Sequence, residues 1–426
     1  MTRDAAQNPL NERYASKEMS YLFSADYKFR TWRTLWIALA EAEKELGLSI
    51  TDAQIAELKA SANDINYADA ERREREIRHD VMSHIYAFGL QAPSAKGIIH
   101  LGATSAFVTD NTDILQMREA LGIIRRRIVN LLAKLRDFAW KWRGTPALAF
   151  THFQPAQLTT VGKRATLWLH DLLLDFREVE FRLSQLALLG VKGATGTQAS
   201  FLSLFDGDES KVNRLEQLVA DRVGMRRSYP VSGQTYSRKV DSQAVNVLSG
   251  FAQSASKFAY DMRLLQHLRE IEEPFEAEQV GSSAMAYKRN PMRAERIDAL
   301  ARHLIVNALN PAFTAATQWF ERTLDDSANR RIAIPEAFLA ADGIALIYDN
   351  IAAGLVVHEE VIGANVRREL PFMMTENLMM EGTRRGGDRQ VLHDRVRIHS
   401  QAAADALKSG GSENDRTDTR EHDRPQ

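Results

Sequence analysis

Residues 112–142 read TDILQMREALGIIRRRIVNLLAKLRDFAWKW. Apolar side chains fall at Ile114, Leu115, Leu121, Ile124, Ile128, Leu131, Leu132, Leu135 and Phe138, with basic residues between them. This i, i+3/i+4, i+7 stripe has the period of an amphipathic helix, and it outruns the roughly 8–20 residues of an ordinary globular helix. Asn111 or Thr112 stands where a cap would start it. The same period predicts long helices over 156–189 and 240–271, the second striped by Val240, Val245, Leu248, Phe251, Ala255, Phe258, Met262 and Leu265. Shorter helices fit 31–46, 296–320, 335–357 and 389–407. Long striped helices bury one another, so the fold class reads as mainly α with a central long-helix bundle. Strand signals are scarce. The clearest is a short hairpin near 190–205, GVKGATGTQASFLSLF.

The 426 residues carry 55 Lys plus Arg against 56 Asp plus Glu, a formal charge of −1. Such a balance supplies no global field for nucleic acid or an anionic membrane, so anions must be met by local clusters. The absence of cysteine excludes disulfides, thiolate zinc sites and cysteine nucleophiles. The opening MTRDAAQNPLNERYAS has no apolar core of a secretory signal, and no run of about 18 apolar residues occurs. A soluble, cytoplasmic protein is expected. From Ser409 the chain reads SGGSENDRTDTREHDRPQ, without an apolar residue, and a disordered tail is expected there.

Several familiar sites fail on spacing. The glycines at 190, 193 and 196 do not form G-x-G-x-x-G, and no phosphate-binding G-x-x-x-x-G-K-[ST] exists. His79 and His84 are five apart rather than four, and H-E-x-x-H and G-x-S-x-G are absent. What remains are polar islands that interrupt the apolar pattern: RHDVMSH at 78–84, HLGATS at 100–105 with TDNTD at 109–113, THFQPAQ at 151–157, GSSAMAYKRNPMRAER at 281–296, and ERTLDDSANRR at 321–331. Taken alone, Pro155 suits a first helical turn, Thr151 a cap and His152 a surface histidine. The alternative for His152 is a proton donor, since imidazole titrates near neutrality. The 281–296 stretch is too basic for an idle Gly-Ser linker. Neighbouring cations and inward N–H groups would stabilise a serine alkoxide there, on a loop that closes over an anion. In 321–331, Arg322, Arg330 and Arg331 surround Asp325, Asp326 and Ser327. That is either a solvated face with internal ion pairs or a fork for phosphate or carboxylate.

The 281–296 stretch resembles the G-S-S-x-M-P-x-K-x-N loop of the aspartase/fumarase superfamily. Together with RYAS at 13–16, YKFRTWR at 27–33, RHDVM at 78–82, GIIHLGATS at 97–105, THFQPAQLTTVGKR at 151–164, KGATGTQASF at 192–201, GQTYSRKVD at 233–241 and WFERTLDDSANRR at 319–331, it resembles the adenylosuccinate lyase family in its animal-like form. The likeness runs from about Asn11 to about Asn414. It implies an aspartase/fumarase-like, three-part subunit: an N-terminal helical domain over 1–105, the long-helix bundle with its signature loop over 106–357, and a C-terminal helical domain over 358–426. It implies a homotetramer whose active sites are shared between subunits, a nucleotide as small-molecule substrate, and no metal or organic cofactor. The implied reaction is cleavage of adenylosuccinate to AMP and fumarate, with the parallel cleavage of the succinylated aminoimidazole carboxamide ribotide.

Carried over position by position, His152 matches the family's general acid and Ser282 its general base. Arg13, Tyr14, Arg78, His79, Asp80, Thr104, Ser105, Gln234, Arg296, Arg322, Ser327 and Arg331 match substrate-contacting positions. Lys288 and Asn290 match the part of the loop that holds the succinyl carboxylates. Ala286 stands where the family has proline, which implies a looser loop before closure. The chain also stops short of the family's further C-terminal helices, which implies a reduced third domain. Two competing readings are another fumarate-releasing lyase, such as argininosuccinate lyase, and a non-catalytic helical scaffold. Retention of His152, Ser282, Lys288 and Asn290 argues against the scaffold.

Overall fold

Hydroxyl side chains start the N-terminal helices. Ser16 accepts a hydrogen bond from the Met19 amide at 3.1 Å and begins Lys17–Leu22; Ser24 accepts from Tyr27 at 3.2 Å and begins Ala25–Glu45. Thr51 and Gln54 form a reciprocal capping box at Asp52–Ala60. Each satisfies amides that the first turn of a helix leaves unpaired. The computed structural model describes residue 4 and residues 6–409, so the expected tail beyond Ser409 lies outside the described residues. By its contacts the chain divides into two units.

The first unit holds the described residues up to Lys134 together with Trp168–Leu264 and Glu273–Leu355. Its N-terminal core gathers Trp32, Trp36, Phe88, Phe107, Phe201 and Leu215, all buried. A second apolar column stacks Phe258 on Tyr348 at 4.0 Å, with Trp168 edge-on to Phe258 at 5.1 Å. The three long helices expected from periodicity are Ser105–Lys141, Val161–Gln185 and Lys239–His267, and the shorter one expected over 335–357 proves to be the long helix Asp326–Ala353. The first starts before Asn111 and Thr112, which are buried inside it rather than capping it. The Asn111 amide donates to Phe107 O at 2.8 Å and Gly190 O at 3.0 Å, and its carbonyl accepts from Gly190 N at 3.1 Å. The side chain thus pins a separate loop to the helix.

That loop corrects the hairpin expected near 190–205. A single bridge joins Leu188 to Ser228, and Ala199–Leu204 is helical. Between them the glycines serve close approach. A Cβ on Gly196 would stand 2.2 Å from Ser232 O, and one on Gly233 would stand 2.4 Å from Glu321 O. Three loops therefore stack backbone on backbone, which fixes the positions of Gln234 and Arg322 beside them. The helix expected over 296–320 is broken into Met292–Asn307 and Leu309–Thr317.

The second unit holds Leu135–Leu167, Leu265–Glu272 and the described residues from Val356. Here Pro146–Thr151 pairs antiparallel with Gln154–Thr160, so the helix expected from 156 begins instead at Val161. Pro155 is tolerated because it lies opposite Phe150, where the register slips after Ala149. A second short pair joins Ile271–Glu272 to Val356–Val357. Glu359–Arg384 packs against the first strand and against Arg389–Lys408. No helix among the described residues is long and apolar enough to cross a membrane.

Candidate active site

The first unit contains a cleft of about 760 Å³. Residues from four stretches far apart in the chain line it: Arg78, His79 and Asp80; Thr104 and Ser105; Gln234; and Arg322, Ser327 and Arg331. Each is a position singled out from the sequence. Local structure explains how they meet. Arg78 ends helix Tyr67–Ile77 in the left-handed conformation, with φ 55°, and His79 caps the next helix, Asp80–Gln91. The His79 Nδ1 accepts from the Met82 amide at 3.3 Å. In the neutral ring the proton then resides on Nε2, which faces Ser105 Oγ at 3.5 Å. Gln234 donates to Thr104 Oγ1 at 3.3 Å, while its backbone N–H bonds Glu321 O. Arg331 lies 3.5 Å from Asp80. Behind the loop, His100 Nδ1 accepts from Trp36 Nε1 at 2.9 Å, and burial lowers the imidazole pKa to about 4, which keeps it neutral.

The remaining candidates do not line this cleft. Arg13 and Tyr14 occupy the short turn Leu10–Tyr14, where the Tyr14 ring lies 6.0 Å from the Arg296 guanidinium. In the 281–296 loop, Ser282 Oγ accepts from the amides of Met285 at 3.1 Å and Ala284 at 3.4 Å. Donors aimed at that oxygen favour its deprotonated form. The Asn290 amide donates to Gly281 O at 2.8 Å and draws the two ends of the loop together. Lys288 is exposed. His152 belongs to the second unit, at the tip of the 146–160 hairpin. Both turn residues, His152 at φ 52° and Phe153 at φ 57°, are left-handed. A two-residue turn of that form ordinarily takes Asn-Gly. Bulky residues held there cost on the order of 1 kcal/mol or more each, and such outliers concentrate at functional sites.

Residues 16–305 match the lyase family. The adenylosuccinate lyase of Schizosaccharomyces pombe is 52% identical over 96% of this chain and 85% of its own length. That of Saccharomyces cerevisiae is 52% identical over 97% and 86%, and that of Pyrococcus abyssi 32% identical over 95% and 88%. The chain belongs to the adenylosuccinate lyase family. The fold is shared more widely. A fumarate lyase from Mesorhizobium sp. BNC1 superposes with a TM-score of 0.81 at 24% identity, covering 93% of this chain and 88% of that one. A 3-carboxy-cis,cis-muconate lactonizing enzyme from Pseudomonas putida gives 0.82 at 23%, covering 94% and 88%.

Beneath the family's motif residues lies a floor that sequence reading missed. Arg238 grips Asp110 with both terminal nitrogens, at 2.9 and 3.2 Å, and reaches Asp326 through Nε at 2.6 Å. Arg330 reaches Asp241 at 2.6 Å, Asp113 at 2.8 Å and the Tyr236 hydroxyl at 2.5 Å. Burial opposes charge on both guanidiniums, yet the surrounding carboxylates raise their pKa. Burial likewise pushes the Asp113 carboxyl up, and Arg330 pulls it back. The segment 321–331 is therefore divided: Asp326 and Arg330 turn inward as structural ions, while Arg322 and Arg331 face the cleft. The one signal available was helical spacing, since Asp326 and Arg330 are i, i+4. Among the described residues no group of three or more His, Asp or Glu is arranged to hold a metal ion.

Proposed function

We propose that the chain releases fumarate from adenylosuccinate, leaving AMP, and acts likewise on the succinylated aminoimidazole carboxamide ribotide, as a cytoplasmic homotetramer with shared active sites. The observation that carries this reading is convergence: motif residues spread from 78 to 331 line one cleft rich in cations and hydroxyls, in a chain of this family. The chemistry is a β-elimination. The Ser282 oxygen takes the proton from the carbon next to a succinyl carboxylate, and the amides of Ala284 and Met285 hold the alkoxide before that step. Electrons from the broken C–H bond pass into that carboxylate and then form the C=C bond as the C–N bond breaks, and His152 delivers a proton to the departing nitrogen. Lys288, Asn290 and loop amides stabilise the dianionic aci-carboxylate. Arg13, Tyr14, Arg78, Thr104, Ser105, Gln234, Arg296, Arg322, Ser327 and Arg331 bind the substrate, with His79 positioned by its Met82 bond. In a tetramer, neighbouring chains supply to each cleft the groups it lacks.

The test is a spectrophotometric assay of purified protein with adenylosuccinate, the carboxamide ribotide and argininosuccinate. Fumarate from the first two and none from the third is the expected outcome. Fumarate from argininosuccinate alone, or from none of them, overturns the reading.

A further inference from the structure

Charges around the cleft are unequally engaged. Arg238 and Arg330 are held by buried carboxylates, and Arg331 faces Asp80. Lys28, on helix Ala25–Glu45, lines the same cleft and has no carboxylate partner of its own among the described residues. Its ammonium instead lies over aromatic faces, 4.8 Å from the Trp32 ring and 5.1 Å from the Phe29 ring. Rings hold a cation in place but leave its N–H donors free for a ligand.

The electrostatic surroundings point the same way. Burial lowers the Lys28 pKa, Asp80, Asp113 and Glu74 oppose that shift, and Arg331 adds to it. Lys28 and Arg331 thus stand close enough to repel, with Asp80 attracting both. Two cations that share one weakly held carboxylate leave a place where an anion from solution would be better matched than Asp80. A compact ammonium acts on phosphate as a point charge, whereas planar carboxylates favour the arginine fork.

Resting on the reading above, we infer that Lys28 is a further substrate-binding residue, which with Arg331 takes the phosphate monoester of the nucleotide. The test is calorimetric binding of AMP and of adenosine, which lacks only the phosphate, to the full-length protein and to Lys28→Met and Lys28→Arg. Lys28→Met keeps the apolar stem on Trp32. AMP affinity is expected to fall about tenfold or more in Lys28→Met, with adenosine affinity unchanged and Lys28→Arg close to the parent. Loss of AMP and adenosine binding in equal measure, or an unchanged AMP affinity in folded Lys28→Met, overturns the role of Lys28 alone. A parent protein that binds neither ligand and releases no fumarate overturns the functional reading as well.

Discussion

Arg330 and Arg331 are neighbours in the chain and opposites in the structure. The Arg330 side chain is 9% exposed and spans Asp241, Asp113 and the Tyr236 hydroxyl; that of Arg331 is 65% exposed and meets Asp80 alone. The same contrast separates two whole regions, the floor of the cleft and the 281–296 loop. Both are dense in charge. In the floor every arginine is spent on carboxylates, which fixes the helices 105–141, 239–267 and 326–353 together. In the loop, Ser282 is half-buried and Lys288 is exposed, and the side chains of Ser282 and Asn290 hold the loop through bonds to its own backbone. Charge density therefore does not mark a binding residue. What separates the two neighbouring arginines is how far each charge is engaged inside the protein.

That contrast is breakable. Removing one member of a buried ion network leaves the others uncompensated, at a cost of about 3–5 kcal/mol. Arg330→Met should therefore lower the denaturation midpoint severely and remove activity with the fold, as chemical denaturation would report. Ser282→Ala should do the reverse: kcat falls by about 10²–10⁴-fold while the melting temperature holds. A folded Arg330→Met, or a fully active Ser282→Ala, would erase the distinction. Arg331→Leu should sit between them, raising KM for adenylosuccinate about tenfold with little change in kcat; a pure kcat loss would deny it a binding role.

Glu43 is buried on helix Ala25–Glu45, neither carboxylate oxygen has a hydrogen-bond partner among the described residues, and burial raises its pKa to about 9. The unfolded chain releases that proton near pH 4.3. Between those values the native state binds a proton that the unfolded state has lost, so stability falls as pH rises through the window. Glu43→Gln should thus melt higher than the parent at pH 8 by a margin that shrinks toward pH 5. A margin independent of pH would mean that Glu43 does not stay protonated.

The sequence made the long helices legible because an apolar stripe survives any cap. Their ends were not legible, because Asp110, Asn111 and Asp113 look like a polar boundary yet lie inside Ser105–Lys141, serving the floor and the Gly190 loop. The 146–160 hairpin was hidden by Pro155 and by a turn built from His152 and Phe153 rather than Asn-Gly. The cleft residues were readable as motifs, since each island breaks the apolar pattern. The partners of Arg238, Tyr236 and Arg330 within those motifs were not, because pairing across more than eighty residues leaves no local trace. Lys28 lies within YKFRTWR, where the sequence assigns it no role, and only its place in the cleft gives it one.

Ser282 and His152 are proposed to serve one reaction from different chains. Two inactive variants, Ser282→Ala and His152→Ala, test this when co-expressed and purified as mixed oligomers. Fumarate release from adenylosuccinate is expected to return in the mixture, because some sites then receive an intact serine from one chain and an intact histidine from another. Mixed oligomers that form and remain as inactive as either variant alone would contradict it.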